Sequence, residues 1–447
     1  MKKFFESLNN VWKIEELRNR IVFTLGLLLV YRFGAHVTLP GIDATQLDKL
    51  AGQTENGIGS ILDMFTGGAF SKASVFALGI MPYISASIVV QLMGIAIPYL
   101  QKLQKDGESG RKKLNQITRW LTIAITLVQG PGYLYNLHST LPGQAFLLPI
   151  DSFQFLFSSV LILTTGTIFA MWLGEKITDK GIGNGISLLI MVGILARLPQ
   201  ALIQEFTSKV TNNNGGPMVL VFEIVVWLLV IIACVLLVMA VRKIPVQYAR
   251  RTTTGDFEQD MMGGNRQWIP LKLNSAGVMP IIFAQAIMFI PAALAGLSNS
   301  ETSQSIAGTF SNMFGFWYNF VFALLILIFT FFYTAITVPT NKMADDLKRS
   351  GGFIPGVKPG VETADFLDRI MSLITFPGSL FLALIAVFPA IVVSLDVQQS
   401  WAMFYGGTSL IIMVGVAIDT IQQINSYLLN KHYDGLMKSG KNRKAVA

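Results

Sequence analysis

The sequence is poor in the residues that carry most protein chemistry. It holds one cysteine, Cys234, placed in an apolar run, which allows no internal disulfide. Its three histidines, His36, His138 and His432, are too scattered for a metal cluster. Charged residues are only 13% of the 447, about half the roughly 25% of globular proteins, which excludes an ordinary soluble enzyme. Hydrophobic residues fill the space at 52%, with 40 Gly and 31 Phe. That composition fits a polytopic helical membrane protein, because a bilayer accepts apolar surface that water rejects, and it excludes disorder and fibrous repeats.

Ten apolar stretches are long enough to cross a hydrocarbon core, at about 21–38, 74–97, 120–137, 153–173, 183–203, 218–241, 275–296, 314–338, 371–394 and 402–428. Helices are expected there, since backbone groups in lipid must be satisfied within the segment. Residues 1–20 are basic but contain Glu6, Glu15 and Glu16 and lead to no small-residue cleavage site, so they read as a retained cytosolic tail. Of the 34 Lys and Arg, 29 fall on one side: the two tails, 98–119, 174–181, 242–273 and 339–370. The other side holds Lys49, Lys72, Arg197 and Lys209, with Arg32 inside the first span. The positive-inside bias therefore puts both termini in the cytosol and makes the net charge of +8 a topology signal ahead of a nucleic-acid one, a ribosome being the RNA-bearing partner left open.

Ten spans divide into halves of five, 21–210 and 211–430, and an odd number per half makes the second half inverted relative to the first. The sequence carries that repeat. GIMPYISA from Gly79 and GVMPIIFA from Gly277 agree at five of eight positions, pairing Pro82 with Pro280 and Ile84 with Ile282. SLLIMVG from Ser187 and SLIIMVG from Ser409 agree at six of seven, pairing Ile190 with Ile412. Inverted repeats place their working site at the interface near the midplane.

An ion-coupled transporter needs ionisable groups there, and the spans offer only Arg32 and Asp419, each readable as packing or hydrogen bonding. What the repeat aligns is isoleucine. A ring of such side chains is a hydrophobic constriction that excludes water and binds no ion, the alternative being core or lipid-facing packing. Pro82 and Pro280 permit bending of their helices. Ser85, Ser87, Gln91 and Asn274 form either a separable polar seam or ordinary helix glue. The stretch from Gly57 to Ser74, broken by Gly67 and Gly68, is too short to span and either re-enters between helices or lies on the outer face. GIGNGIS at Gly181 evokes a dinucleotide loop but lacks βαβ context. Beyond Arg242, Ile244, Val246 and Tyr248 alternate like a hairpin strand, with Arg250 and Arg251 following, and the loop 339–370 mixes charge with turn signals. Both loops suit a docking partner or a solvated, topology-setting face.

Several segments together resemble the SecY family of protein-conducting channel subunits: ALGIMPYISASI from Ala77, EKITDKGIGNGIS from Glu175, LKLNSAGVMP from Leu271, ADDLKRSGGFIPGVKPG from Ala344 and YGGTSLII from Tyr405. The resemblance covers essentially the whole chain. It implies an all-α polytopic membrane protein, ten transmembrane helices in two inverted five-helix halves around a central hourglass channel. It further implies a pore ring of Ile80, Ile84, Ile186, Ile190, Ile282 and Ile412. A plug falls over 59–71, with Ile61, Leu62, Met64, Phe65, Gly67 and Gly68. The implied lateral gate includes Ser87, Gln91 and Asn274, and the partner-docking loops include Arg250, Arg251 and Lys358. Lys358 departs from the arginine usual in this G-x-[RK]-P-G turn, and the two are not interchangeable at forked contacts.

The implied function is conduction of unfolded secretory polypeptides across the bacterial plasma (inner) membrane, with lateral release of membrane segments into the lipid bilayer. The implied partners are SecE-like and SecG-like membrane subunits, the motor ATPase SecA, the ribosome and preproteins with signal sequences. No nucleotide site or catalytic constellation is visible, so no cofactor is expected and the energy must come from a partner or the membrane potential. An ion-coupled transporter and a lipid flippase or insertase are the competing readings.

Overall fold

The computed structural model describes residues 12, 14–43, 47, 63–140, 145–146, 152–211, 216–248, 267–295 and 312–443. Two compact units divide the chain: Met1–Asn213 with Gln399–Trp401 and Val416–Ala447, and Asn214–Gln398 with Ala402–Gly415. Helices occupy all ten predicted stretches. Among the described residues, six helical segments are long and apolar enough to cross a membrane alone: Phe153–Lys180, Gly185–Val210, Gly216–Met239, Phe316–Arg349, Val361–Val393 and Gln399–Leu429. A seventh counts if Met81–Gly94 and Pro98–Gln104, bent by 103°, form one span.

In the first unit the helices are α1 (Glu15–Gly34), α2 (Met81–Ala96), α3 (Pro98–Lys105), α4 (Gly107–Thr140), α5 (Phe153–Lys180) and α6 (Gly185–Phe206), the last followed by a π turn, Thr207–Thr211. Helix α1 starts earlier than its apolar run because Glu15 and Glu16 occupy its first turn, where the helix dipole favours carboxylates. Helix α5 is central. Its buried positions, Phe155, Ser159, Leu163, Gly166, Ala170, Leu173 and Ile177, recur at the three- and four-residue spacing of one helical stripe. That stripe packs against α1, α4 and α6. Phe155 and Leu163 join Leu39, Phe70, Leu134 and Leu137 in a core that fastens the chain entering α2.

The second unit holds α7 (Gly216–Met239), β1 (Val241–Tyr248), β2 (Gln267–Lys272), α8 (Met279–Ala295), α9 (Phe316–Thr337), α10 (Thr340–Arg349), β3 (Gly352–Phe353) and α11 (Val361–Val393). Helices α12 (Gln399–Ala402) and α13 (Gly407–Arg443) end the described chain, α13 being divided between the units at Val416. Phe283 of α8 stacks on Phe329 of α9 at 5.7 Å between ring centres. The sheet has strand order β2-β1-β3, all antiparallel, with Val241 opposite Lys272 and Gln247 opposite Phe353. The predicted alternation is realised: Ile244 and Val246 are buried with Leu271, Leu347, Ile354 and Leu367, and Tyr248 packs against them.

Proline placement differs from expectation. Pro82 lies in the first turn of α2, and Pro280 is the second residue of α8. A proline there removes an N–H that has no intrahelical partner anyway, so both residues start their helices without bending them. The sharp bend falls at Ile97, extended at φ −101° and ψ 116°, just before Pro98, which disfavours a helical conformation in its predecessor.

Candidate functional site

The repeat is visible in the backbone. Gly79 (φ +53°) and Gly277 (φ +64°) each sit two residues before a helix that begins with Met-Pro. The amide of Gly79 bonds to the Phe76 carbonyl at 2.9 Å, and that of Gly277 to the Asn274 carbonyl at 3.3 Å, the same three-residue turn. The next helical bonds match too: Ile84 N donates to the Ile80 carbonyl at 3.0 Å and Ile282 N to the Val278 carbonyl at 3.4 Å. The paired isoleucines therefore occupy equivalent helical positions. Ile190 and Ile412 do so as well, each five residues after the first residue of its helix, Gly185 or Gly407.

The expected ring residues divide between the units. Ile80, Ile84, Ile186 and Ile190 belong to the first, and Ile282 and Ile412 to the second. Ile80, Ile190 and Ile412 are buried, and Ile84, Ile186 and Ile282 are half-buried. The start of α6, which carries two of them, is held from several sides. Ile182 N donates to Thr24 Oγ1 at 3.1 Å and Gly183 N to Gln423 Oε1 at 2.9 Å. Gly185 N donates to Thr178 Oγ1 at 2.9 Å, and Asn184 Oδ1 caps the helix by accepting from Ile186 N and Ser187 N. GIGNGIS is thus a helix-start clamp.

The plug-like segment is described from Asp63, so Ile61 and Leu62 lie outside the described residues. Residues 63–66 form a helical turn with Phe65 buried and Met64 half-buried. Gly67 (φ +66°) and Gly68 (φ +89°) then reverse the chain against α6. A side chain on Gly67 would come within 2.8 Å of the Gly193 Cα, so only glycine permits this approach of backbone to backbone. Three charged residues converge here. Arg32 Nη1 of α1 donates to the Gly67 carbonyl at 2.5 Å. Arg197 of α6 pairs with Asp63 and also donates to Ser71 Oγ at 3.1 Å. Asp63 Oδ1 accepts from Ser71 N at 2.8 Å. Uncharged contacts also hold this part of the chain: Tyr133 Oη donates to the Phe70 carbonyl, and Leu39 N to the Ala73 carbonyl, both at 2.9 Å.

Sequence reasoning missed Asp63 and Arg197. A signal existed, because charge is scarce and a carboxylate beside Met64 and Phe65 in an apolar stretch requires a partner. Arg32 serves the hydrogen-bonding role that its residue type allowed. Asp419, on which a transporter reading would rest, is exposed on α13.

Among the residues expected at a gate, Gln91 Nε2 donates to Ser87 Oγ at 3.3 Å within α2, and both are half-buried. Asn274 is buried, and its Oδ1 has no hydrogen-bond partner. Arg250 and Arg251 lie outside the described residues. Lys358 is exposed in the turn after β3, 3.5 Å from Glu362, while its carbonyl accepts from Thr363 Oγ1 at 2.8 Å.

The SecY family model matches residues 74–421. The chain is similar to the protein translocase subunits SecY of Aquifex aeolicus (38% identical, covering 97% of this chain and 99% of that one) and Thermotoga maritima (38%, 98% and 99%). It is similar also to that of Halalkalibacterium halodurans (39%, 97% and 100%). Its fold resembles a solved protein-conducting channel, with a TM-score of 0.59 at 17% identity over 91% of each chain. A structure of SecY concerned with its plug domain gives 0.57 at 18%, and Sec61 in a canine ribosome-channel complex gives 0.56 at 16%, each over 91% of both chains.

Proposed function

Because the chain belongs to the SecY family, we propose that it is the channel-forming subunit of a protein translocase in the bacterial plasma (inner) membrane, with both termini cytoplasmic. Unfolded secretory polypeptides pass through it, and sufficiently apolar segments leave sideways because lipid solvates them better than an aqueous pore does. Six isoleucines, Ile80, Ile84, Ile186, Ile190, Ile282 and Ile412, form the constriction. The observation that carries this reading is the occupation of equivalent positions in both repeats by isoleucine, which can line a passage yet offers nothing to hold an ion.

The segment 59–71 is the plug. Ser87, Gln91 and Asn274 line the lateral gate, where the unpartnered Asn274 Oδ1 is a group that gate movement could satisfy. The basic loops dock a cytosolic partner, the motor ATPase SecA or a translating ribosome, through Arg250, Arg251 and Lys358. SecE-like and SecG-like subunits complete the complex.

The reading is tested by reconstituting the chain with such subunits into proteoliposomes and adding motor, ATP and a radiolabelled precursor. Protection of the precursor from external protease is expected. Absence of protection, where a relative's channel protects in the same assay, contradicts the proposal.

A further inference from the structure

We propose that Asp63, Arg197 and Arg32 form a polar latch that holds the plug shut while its surroundings are dry and releases it when water enters. The inference rests on the reading of 59–71 as the plug and adds what fastens it and what frees it.

Two kinds of attachment meet in this segment. At Phe70 and from Ala73 to Val75 the chain is tied by uncharged bonds: Tyr133 to the Phe70 carbonyl, Leu39 N to the Ala73 carbonyl, and Val75 N to the Val37 carbonyl at 2.9 Å. From Asp63 to Ser71 the fastenings come from charged side chains. Arg197 pairs with Asp63, whose side chain is 5% exposed, and Arg32 donates to the Gly67 carbonyl. Arg197 extends to Ser71 Oγ, which itself donates to the Gly68 carbonyl at 3.3 Å. The two zones meet at Phe70 and Ser71, where Ser71 N also donates to Asp63 Oδ1. Lys72, the remaining nearby cation, is exposed.

The difference matters because the zones respond oppositely to water. Apolar packing is strengthened by water around it. The attraction between unit charges falls several-fold as the effective dielectric rises from protein-like to aqueous values, and free charges in water regain their hydration. In a dry channel, separating Asp63 from Arg197 strands a buried carboxylate and leaves a half-buried guanidinium without its counter-charge, so the plug stays. When an entering polypeptide brings water to this level, the separated charges are solvated and the ionic zone lets go while the packed zone keeps the segment tethered. The same terms restore closure once the channel empties.

The test is resting ion conductance of the full chain with its membrane subunits in a planar bilayer, without precursor. Arg197→Gln, which leaves the buried Asp63 carboxylate unpaired, should raise the fraction of time open by about tenfold or more, and Asp63→Asn, which leaves the half-buried Arg197 without its counter-charge, by less. The charge-swapped double variant, Asp63→Arg with Arg197→Asp, should return within about threefold of the parent, and Arg197→Lys, which keeps charge but loses the fork, should leak less than Arg197→Gln. Elution of each variant as the parent complex confirms folding, and if Arg197→Gln fails this check, Asp63→Asn and Arg197→Lys carry the result. Single variants as tight as the parent overturn the latch, as does leakage of the swapped and lysine variants equal to that of Arg197→Gln. Failure of the parent to translocate precursor overturns the plug reading beneath it.

Discussion

The chain enters α2 and α8 through the same turn, yet the two approaches are built differently. The approach to α2 is buried and fastened by charge: Asp63 to Arg197, Arg32 to Gly67, and Gly79 packed on Thr66. The approach to α8 comes off β2, is tied through Leu273 N to the Ala240 carbonyl at 2.9 Å, and leaves open space around Gly277. The repeat thus preserves the helix start that sets Ile84 and Ile282, while the preceding residues are free to specialise. One approach is held by charged side chains and the other is a short connection from a small sheet.

The largest way to break the comparison is at that sheet. Val246 is fully buried, so Val246→Asp places an unpaired charge in a small apolar core and should cost about 4 kcal/mol or more. In limited proteolysis, cleavage around β1 and β2 should appear with α1 to α6 still protected. Equal protection throughout would show that the second approach does not depend on the sheet. Next comes the shared turn itself. Gly79→Ala and Gly277→Ala each pay about 1–2 kcal/mol for a left-handed backbone, and only Gly79→Ala adds overpacking of about 1–3 kcal/mol, because its new methyl would lie 2.8 Å from Thr66 Cγ2. Unequal drops in thermal stability in detergent are expected, with Gly79→Ala the worse.

A finer comparison lies within the first approach. Tyr133→Phe removes one bond to the Phe70 carbonyl, which still accepts from Ala73 N at 3.2 Å, so the loss should be about 0.5–1.5 kcal/mol. Melting of the purified complex reads this directly, and a larger loss would mean that the packed zone leans on this hydroxyl. Smallest of all, Lys358→Ala should change stability by less than about 0.5 kcal/mol, since its pair with Glu362 is exposed. Its effect should instead be seen in motor-stimulated translocation.

How far the sequence foretold this depends on the period of the signal. Ile244 and Val246 alternate over a short run, so β1 was legible, and the apolar stretches were legible as helices because their length matches a bilayer. The pairing of Ile84 with Ile282 was visible because Met-Pro lies beside both. Helix starts were not, since turns at Gly79 and Gly277 override the apolar continuity of residues 74–80 and 275–278. Nor was Asp63 with Arg197: two single charges on different elements carry no periodicity, and only the fold brings them together.

The measurement that most directly tests the central claim uses single cysteines at Ile84, Ile190, Ile282 and Ile412, in a chain with Cys234 replaced by alanine and a precursor stalled in transit. The account predicts that all four crosslink to the same translocating segment, two from each half of the repeat. Crosslinks from neither half, in membranes that still translocate the precursor, would make these isoleucines packing and contradict it.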